Sequence, residues 1–469
     1  MELQYRGSGK VFFNEKEYQC DLYYNEKQGG IILKINVKNE KTMGNFMEVP
    51  LEISHLCGKL ETGFIFTLLK LNRIGMQDLV SYGMSVFTFS AEYILCGIGS
   101  ENGSEQTFCS VNYTLSNIID WAEESIFTIG NNYELVKKNE EICKEIYAGK
   151  DFSIRYFVYG SMLPVVEHEL LKERIELTQH GVIKICFNKE KKLDQFNDVF
   201  AKLKRLIEIV SLKKVNVEKV EAYSEEVVQF IGEKSIMRPM EIYGRDILEN
   251  EISEYSRQLR WKWISLPELM EKTSFEHYFD KHEKLAPIIE LFLESFYIEN
   301  SSATRIFLNI VQALETYHSR FVTNSLTNYK TRIETLVQNY PSTKSEELRE
   351  FLMAQSKKYI TLESRLADLL FAEGKIYFDT GEIKHKDYPS VIAHTRNYYI
   401  HYDEKIKEKY TVLTEEELQL YNRSLLQILE YHILLELGFS EKDDLKKKLT
   451  DRWGKVSESL ELLKISRNM

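Results

Sequence analysis

Residues 391–404 read VIAHTRNYYIHYDE. Within them Arg396 and His401 are separated by four residues, and the amide Asn397 directly follows the arginine. Upstream, ALETYHSR carries Glu315, His318 and Arg320. These residue types suit phosphodiester chemistry. A histidine titrates near neutrality and so can take and return a proton. An arginine supplies a planar, permanently charged fork that grips a phosphate with two parallel bonds. Together they would let the 2′-hydroxyl of a ribose attack its own phosphate, leaving a 2′,3′-cyclic phosphate and a 5′-hydroxyl. Asn397 would hold a phosphate oxygen or orient His401.

The spacing alone is weak. With 18 Arg and 10 His in the chain, an Arg followed four to six residues later by a His is expected about once by chance. Arg174 and His180 also fit, in a strand–turn setting that favours ordinary surface residues. Geometry adds a demand. On an ideal helix Arg396 and His401 stand about 140° apart, whereas His394, Asn397 and His401 share a face. The arginine must swing round on its stem, the helix must distort, or a second copy must complete the site. Glu315 and His318, three residues apart on one face, either support the cleft or form a structural polar pair. Tyr398, Tyr399 and Tyr402 either stack bases or fill core and interface. Lys384, His385, Lys386, Lys405, Lys407 and Lys409, with the tail run 446–448, are either a local basic footprint or a solvated face, since Glu382, Asp387, Glu404 and Glu408 are interspersed. His277 and His282 suit no common zinc spacing and read as surface residues.

The chain has 469 residues, 43 % apolar and 28 % charged, which excludes a wholly disordered chain and a membrane bundle. Sixty-one basic against 72 acidic residues leave a net charge of −11, which excludes a generally basic nucleic-acid coat. None of the six cysteines forms a CxxC pair, so buried thiols in a reducing cytosol are expected. The first residues lack an apolar signal-peptide core, and no uncharged apolar stretch of about 18 residues occurs. The expected location is cytoplasmic. No GxxxxGK[ST], GxSxG, HExxH or GxGxxG context supports an NTPase, an esterase or a zinc protease.

Short β-branched and aromatic runs predict strands at 10–13, 18–24, 31–37, 64–70, 85–89, 93–98 and 108–113, with a turn at 101–104 and a short helix at 115–124. A second set falls at 152–159, 174–177, 182–187 and 215–223, around a helix over 193–210. Whether this set continues the first sheet or forms its own is left open by the pattern. A segment of mixed signals follows, including Trp261–Trp263. Beyond Pro267 the periodicity is helical, at 283–298, 302–323, 346–358, 362–372, 390–407, 415–437 and a charged tail over 442–463. Ser301/Ser302 and Thr414 read as N-caps and Gly438 as a helix-ending residue. The fold class is α+β: a β-rich, sandwich-like half over 1–265, in one piece or as 1–125 and 126–265, followed by a helical bundle over 266–469.

The RNYYIH segment inside a C-terminal helical bundle resembles the Arg-x(4–6)-His motif of HEPN-domain ribonucleases. With FLNIVQALETYHSR and the β-rich half ahead of it, the layout is similar to the ApeA-type HEPN proteins of bacterial anti-phage defence. That resemblance implies a HEPN dimer that cleaves RNA without metal or cofactor in an abortive-infection response. The catalytic residues would be Arg396, His401 and Asn397. Glu315, His318 and His394 would support them, and Tyr402, Lys405 and Lys386 would touch RNA, tRNA being a candidate. It also implies an N-terminal half that senses a phage-derived cue or restrains the nuclease, in keeping with a net charge that steers RNA poorly. The competing reading is a non-catalytic dimerisation or nucleotide-binding bundle with a protein-binding β half. A metal-dependent enzyme is a third.

Overall fold

In the computed structural model the residues described are 6–14, 16–25, 30–38, 49–97, 106–116, 118–138, 142–161, 173, 176–231, 234–244, 264–297, 301–322, 333–339, 344–372, 375–376, 378–440 and 445–459. The chain divides into two compact units, residues 1–204 with 215–258, and residues 205–214 with 259–469. The expected turn at 101–104 and Trp261–Trp263 lie outside the described residues, as does Arg174.

The first unit is built on strands β1 (Gly7–Phe13), β2 (Lys16–Asn25), β3 (Gly30–Lys38), β4 (Glu52–Leu60), β5 (Ile65–Leu79) and β6 (Met84–Cys96). They pair in the cyclic order β1–β2–β3–β6–β5–β4–β1, every pair antiparallel, and so close a six-stranded barrel. Alternation fills the interior. Ile31, Leu33, Ile35 and Val37 of β3 and Phe87, Phe89 and Ala91 of β6 fall on one face of their strands, and that face fills the interior. Gly58 is dictated by this packing. A Cβ there would stand 2.4 Å from the ring of Phe66 and 2.9 Å from the Lys10 carbonyl.

β6 outlasts its partner β3. From Tyr93 to Leu95 it pairs instead with β16 (Met240–Gly244). The sheet then continues outward through β13 (Val217–Tyr223), β7 (Phe108–Leu115), β12 (Gln179–Lys191), β11 (Phe152–Gly160) and β10 (Ile142–Ala148). The second set of strands is therefore a continuation of the first sheet, and the sheets take the form of a barrel running into an open sheet. The periods expected at 85–89 and 93–98 belong to the single strand β6. Of the strands of this sheet, β4, β10 and β16 went unpredicted, and Glu176 and Leu177 are not in a strand. Short helix α1 (Ile118–Ala122) follows β7, and two hairpins, β8 (Phe127–Ile129) with β9 (Leu135–Lys137) and β14 (Val228–Ile231) with β15 (Lys234–Met237), form small sheets of their own. Helix α2 (Leu193–Ser211) packs on the open sheet, with Phe200 stacked on Tyr113 at 3.9 Å and Phe196 edge-on to Phe187. Of the six free cysteines, Cys20, Cys57 and Cys96 are buried. Cys109 and Cys186 are half-buried, and Cys143, on edge strand β10, is exposed, against the expectation that all are buried.

The second unit is helical: α3 (Leu266–Glu271), α4 (Ser274–Tyr297), α5 (Ala303–Phe321), α6 (Ser345–Tyr359), α7 (Leu362–Leu370), α8 (Tyr388–His401), α9 (Glu404–Lys409), α10 (Glu415–Glu436) and α11 (Leu445–Trp453). A β-rich first half and a helical second half match the expected class. Ser302 caps α5, and Thr414 with Glu417 forms a capping box on α10. Gly438 adopts the left-handed conformation just past α10.

Three expected helices differ. The one over 283–298 begins nine residues earlier, at Ser274. The tail helix stops at Trp453, where Gly454 takes a φ of 76°. The helix over 390–407 is broken after His401. There Tyr402 turns left-handed (φ 50°), and the Asp403 carboxylate accepts from the Lys405 amide, capping a new short helix. A short acidic side chain that bonds nearby backbone competes with helix continuation, which is why periodicity alone ran through the break. No helix among the described residues is long and apolar enough to cross a membrane.

Candidate nuclease site

Helix α8 carries Arg396, Asn397 and His401, and α5 carries Glu315 and His318. The two helices touch, and the contact is made by charge. Arg396 Nη2 lies 3.7 Å from Glu315 Oε2, with both side chains about one-third exposed (33 % and 35 %). Its Nη1 donates to Asn397 Oδ1 at 3.1 Å. That second bond matters for direction. Asn397 shares a helical face with His401, one turn later, so the bond ties the guanidinium to a residue of the histidine's face. His401 occupies the last position of α8 and is exposed. It makes no hydrogen bond, ion pair or ring contact among the described residues.

His318 goes elsewhere. It is 2 % exposed, and its Nε2 meets Asp368 Oδ2 of α7 at 2.8 Å. Glu315 and His318 are thus neighbours on one helix that serve different partners. His394 is half-buried beneath Tyr410, the rings 3.8 Å apart and 19° from parallel. The chain after the break folds back on α8. Both polar backbone groups of Leu413 are held there, its amide donating to Thr395 Oγ1 and its carbonyl accepting from Tyr399 Oη, each at 3.1 Å.

Tyr402 is 64 % exposed and packs beside Tyr398 and Tyr399 with ring centroids 5.8 and 6.1 Å away. Lys407 lies over the Tyr398 ring at 5.5 Å. Lys405 is exposed on α9, in the first turn after His401. Lys386 is exposed before the other end of α8. A 14-residue helix separates it from His401, about 20 Å of rise, so the two do not belong to one cluster. Lys448 pairs with Glu268. His282, expected at the surface, is half-buried with its ring edge-on to Tyr278, and His277 is half-buried as well, because α4 begins early enough to include both.

Sequence reasoning did not find Asp368 or Tyr410. Each meets its histidine across a tertiary contact, 50 and 16 residues away, and nothing local to either marks it.

A family model described as Apea-like HEPN matches residues 308–443, a span that contains every residue of this cluster. A second, ApeA N-terminal domain 1, matches residues 5–243, just over half of the chain. The chain is an ApeA-type HEPN protein. No curated protein and no solved structure matches it. The family fits a HEPN-domain defence protein, and HEPN domains are generally nucleases acting on RNA. In these terms the HEPN region presents one arginine braced by a glutamate and an amide, and one uncommitted histidine at a helix end. A phosphate can displace or bridge the carboxylate at Arg396, and His401 is open to accept a proton.

Proposed function

We propose that this protein is a metal-independent endoribonuclease of anti-phage abortive infection. Arg396 binds the scissile phosphate, and Asn397 holds both the guanidinium and a phosphate oxygen. His401 takes the proton of the attacking 2′-hydroxyl. The O2′–P bond forms and the P–O5′ bond breaks. The leaving O5′ is protonated by the opposing histidine, and the products are a 2′,3′-cyclic phosphate and a 5′-hydroxyl. Two copies contribute, so the working unit is a homodimer or a higher oligomer built from dimers. Glu315 positions the guanidinium. Tyr402 and Lys405 contact the RNA, for which tRNA is a candidate. The N-terminal half senses a phage-derived trigger in the cytoplasm and restrains cleavage until it binds.

The observation that carries this reading is the Arg396–Asn397 hydrogen bond. It ties the arginine to a residue that shares a helical face with His401, which supports a joint role for the two. General acid–base action is worth about 10²–10⁴-fold and charge stabilisation about 10²–10³-fold, so either residue alone is decisive.

The test is cleavage of total RNA by purified full-length protein, with and without EDTA and with and without phage lysate. Chelator-resistant fragments ending in 2′,3′-cyclic phosphate support the proposal. Cleavage that EDTA abolishes, or equal cleavage by Arg396→Ala and His401→Ala, overturns it.

A further inference from the structure

The first unit contains a cavity of about 230 Å³ between α2 and the sheet. Its floor comes from β6, β16, β13 and β7, four strands adjacent in the sheet. Its roof is the face of α2 that bears Leu193, Asn197, Phe200, Ala201 and Lys204. Elsewhere α2 meets the sheet with large side chains. Here it offers Ala201, which is exposed, and the short amide Asn197, leaving room at the rim and a polar group within.

That amide is oriented. Tyr113 Oη donates to Asn197 Oδ1 at 2.9 Å, and Asn197 Nδ2 donates to Tyr93 Oη at 3.3 Å. Burial raises the Tyr113 phenol well above its usual range, so it stays protonated and remains the donor. One lone pair of Oδ1 and one hydrogen of Nδ2 are left over. An amide with one acceptor and one donor to spare suits a heterocycle carrying a donor beside an acceptor. The remaining lining is apolar and aromatic, which suits the faces of a flat ring.

Charge at the rim selects further. Lys70 takes a left-handed backbone (φ 54°) within β5 and bonds Asp194 at 2.7 Å and Glu92 at 3.1 Å, its ammonium 5.8 Å above Tyr93. Lys70 is thus held by Glu92 and Asp194, and Lys204 is not free either, so the rim offers little attraction to a polyphosphate. The volume falls below the ~300–1,000 Å³ of drug-sized sites and admits one or two fused rings rather than an oligonucleotide.

From these features we infer that the cavity under α2 is a binding site for a neutral nucleobase-type heterocycle, free or as its nucleoside, read by the Asn197 amide. This site is separate from the proposed nuclease chemistry and stands without it.

The test is direct binding to the full chain by saturation-transfer NMR and calorimetry. The probes are adenosine, guanosine, cytidine, uridine and, as the charged control, AMP and ATP, at millimolar concentration. At least one nucleoside binds with 1:1 stoichiometry and more tightly than its nucleotide. Asn197→Leu weakens it about tenfold or more. Ala201→Phe, which fills the rim from an exposed position, abolishes it with an unchanged circular dichroism spectrum and melting temperature. Arg396→Ala leaves it intact. The inference fails if no nucleoside binds, if the nucleotides bind better, if binding survives Ala201→Phe, or if it is lost in Arg396→Ala.

Discussion

The Arg396 guanidinium donates to the side-chain oxygen of its own chain neighbour, Asn397. In the proposed mechanism this local bond offsets a sequence spacing that puts arginine and histidine on different helical faces. Replacing Asn397 with Ala removes the bond while leaving the charge in place. RNA cleavage by Asn397→Ala is expected to fall about tenfold or more in kcat, with KM less affected. Arg396→Lys, which keeps the charge but not the fork, is expected to restore little over Arg396→Ala. End-labelled RNA cleavage kinetics measure both. Full activity in Asn397→Ala would mean that the bond has no part in the chemistry.

Glu315 faces the same guanidinium at 3.7 Å. As a positioning residue it acts through Arg396, so Glu315→Ala lowers kcat more than it raises KM. Glu315→Gln, which still accepts a hydrogen bond, recovers most of the loss. Because the pair is about one-third exposed, its contribution to stability is small, and urea midpoints of both variants are expected to stay close to the parent.

Tyr402 presents an exposed ring next to His401. Stacking of an unpaired base on such a ring is worth about 1–3 kcal/mol, so Tyr402→Ala is expected to weaken RNA binding by about five- to a hundredfold, while Tyr402→Phe retains it. Fluorescence anisotropy with a single-stranded RNA on a His401→Ala background separates binding from cleavage. Equal affinity in the Ala and Phe variants refutes a stacking role.

His432 is 8 % exposed in the core of the helical unit, and its Nε2–H donates to the Leu369 carbonyl at 2.9 Å. Burial lowers its pKa to about 4. The bond to Leu369 and the charge of Glu436 partly oppose that shift, and nearby His318 adds to it. A histidine of the unfolded chain titrates near ~6.5. The folded value is depressed, so the unfolded state takes up protons first as the pH falls. The stabilisation is complete above about pH 6.5, declines from there and is gone by about pH 4, a loss on the order of 3 kcal/mol. His432→Gln keeps a donor for Leu369 and removes the titration. Urea unfolding of both proteins across this range is expected to show a steeper decline for the parent. Parallel profiles would show that His432 does not titrate on unfolding.

Arg452 and Glu430 form an ion pair with both side chains at 1 % exposure or less. Arg452 also donates to the Ile209 and Val210 carbonyls at the end of α2, and Trp453 donates to Glu430. Removing one partner strands the other charge away from water. Glu430→Gln or Arg452→Met alone is therefore expected to cost about 3–5 kcal/mol. The double variant is expected to cost less than the two singles together. Chemical denaturation of the four proteins in a cycle checks this.

Alternation and helical periodicity were enough to separate a β half from a helical half, because each reflects a local choice of which face meets the core. Residue type marked the caps at Ser302 and Thr414, and the resemblance to HEPN ribonucleases singled out Arg396, Asn397 and His401 as one group, all close in the chain. Barrel closure lay beyond these signals. It depends on β1 pairing with β4 and on β3 pairing with β6, as the onward sheet depends on β6 pairing with β16, and pairing over such separations leaves no local mark. The same holds for the partners of the candidate site. Glu315 reaches Arg396 across 81 positions and His318 reaches Asp368 across 50, although both start from one helical face. Which of two neighbouring side chains meets Arg396 and which meets Asp368 was settled by the packing of α5 against α7 and α8. A side chain's environment is made of elements that meet only after the chain has folded.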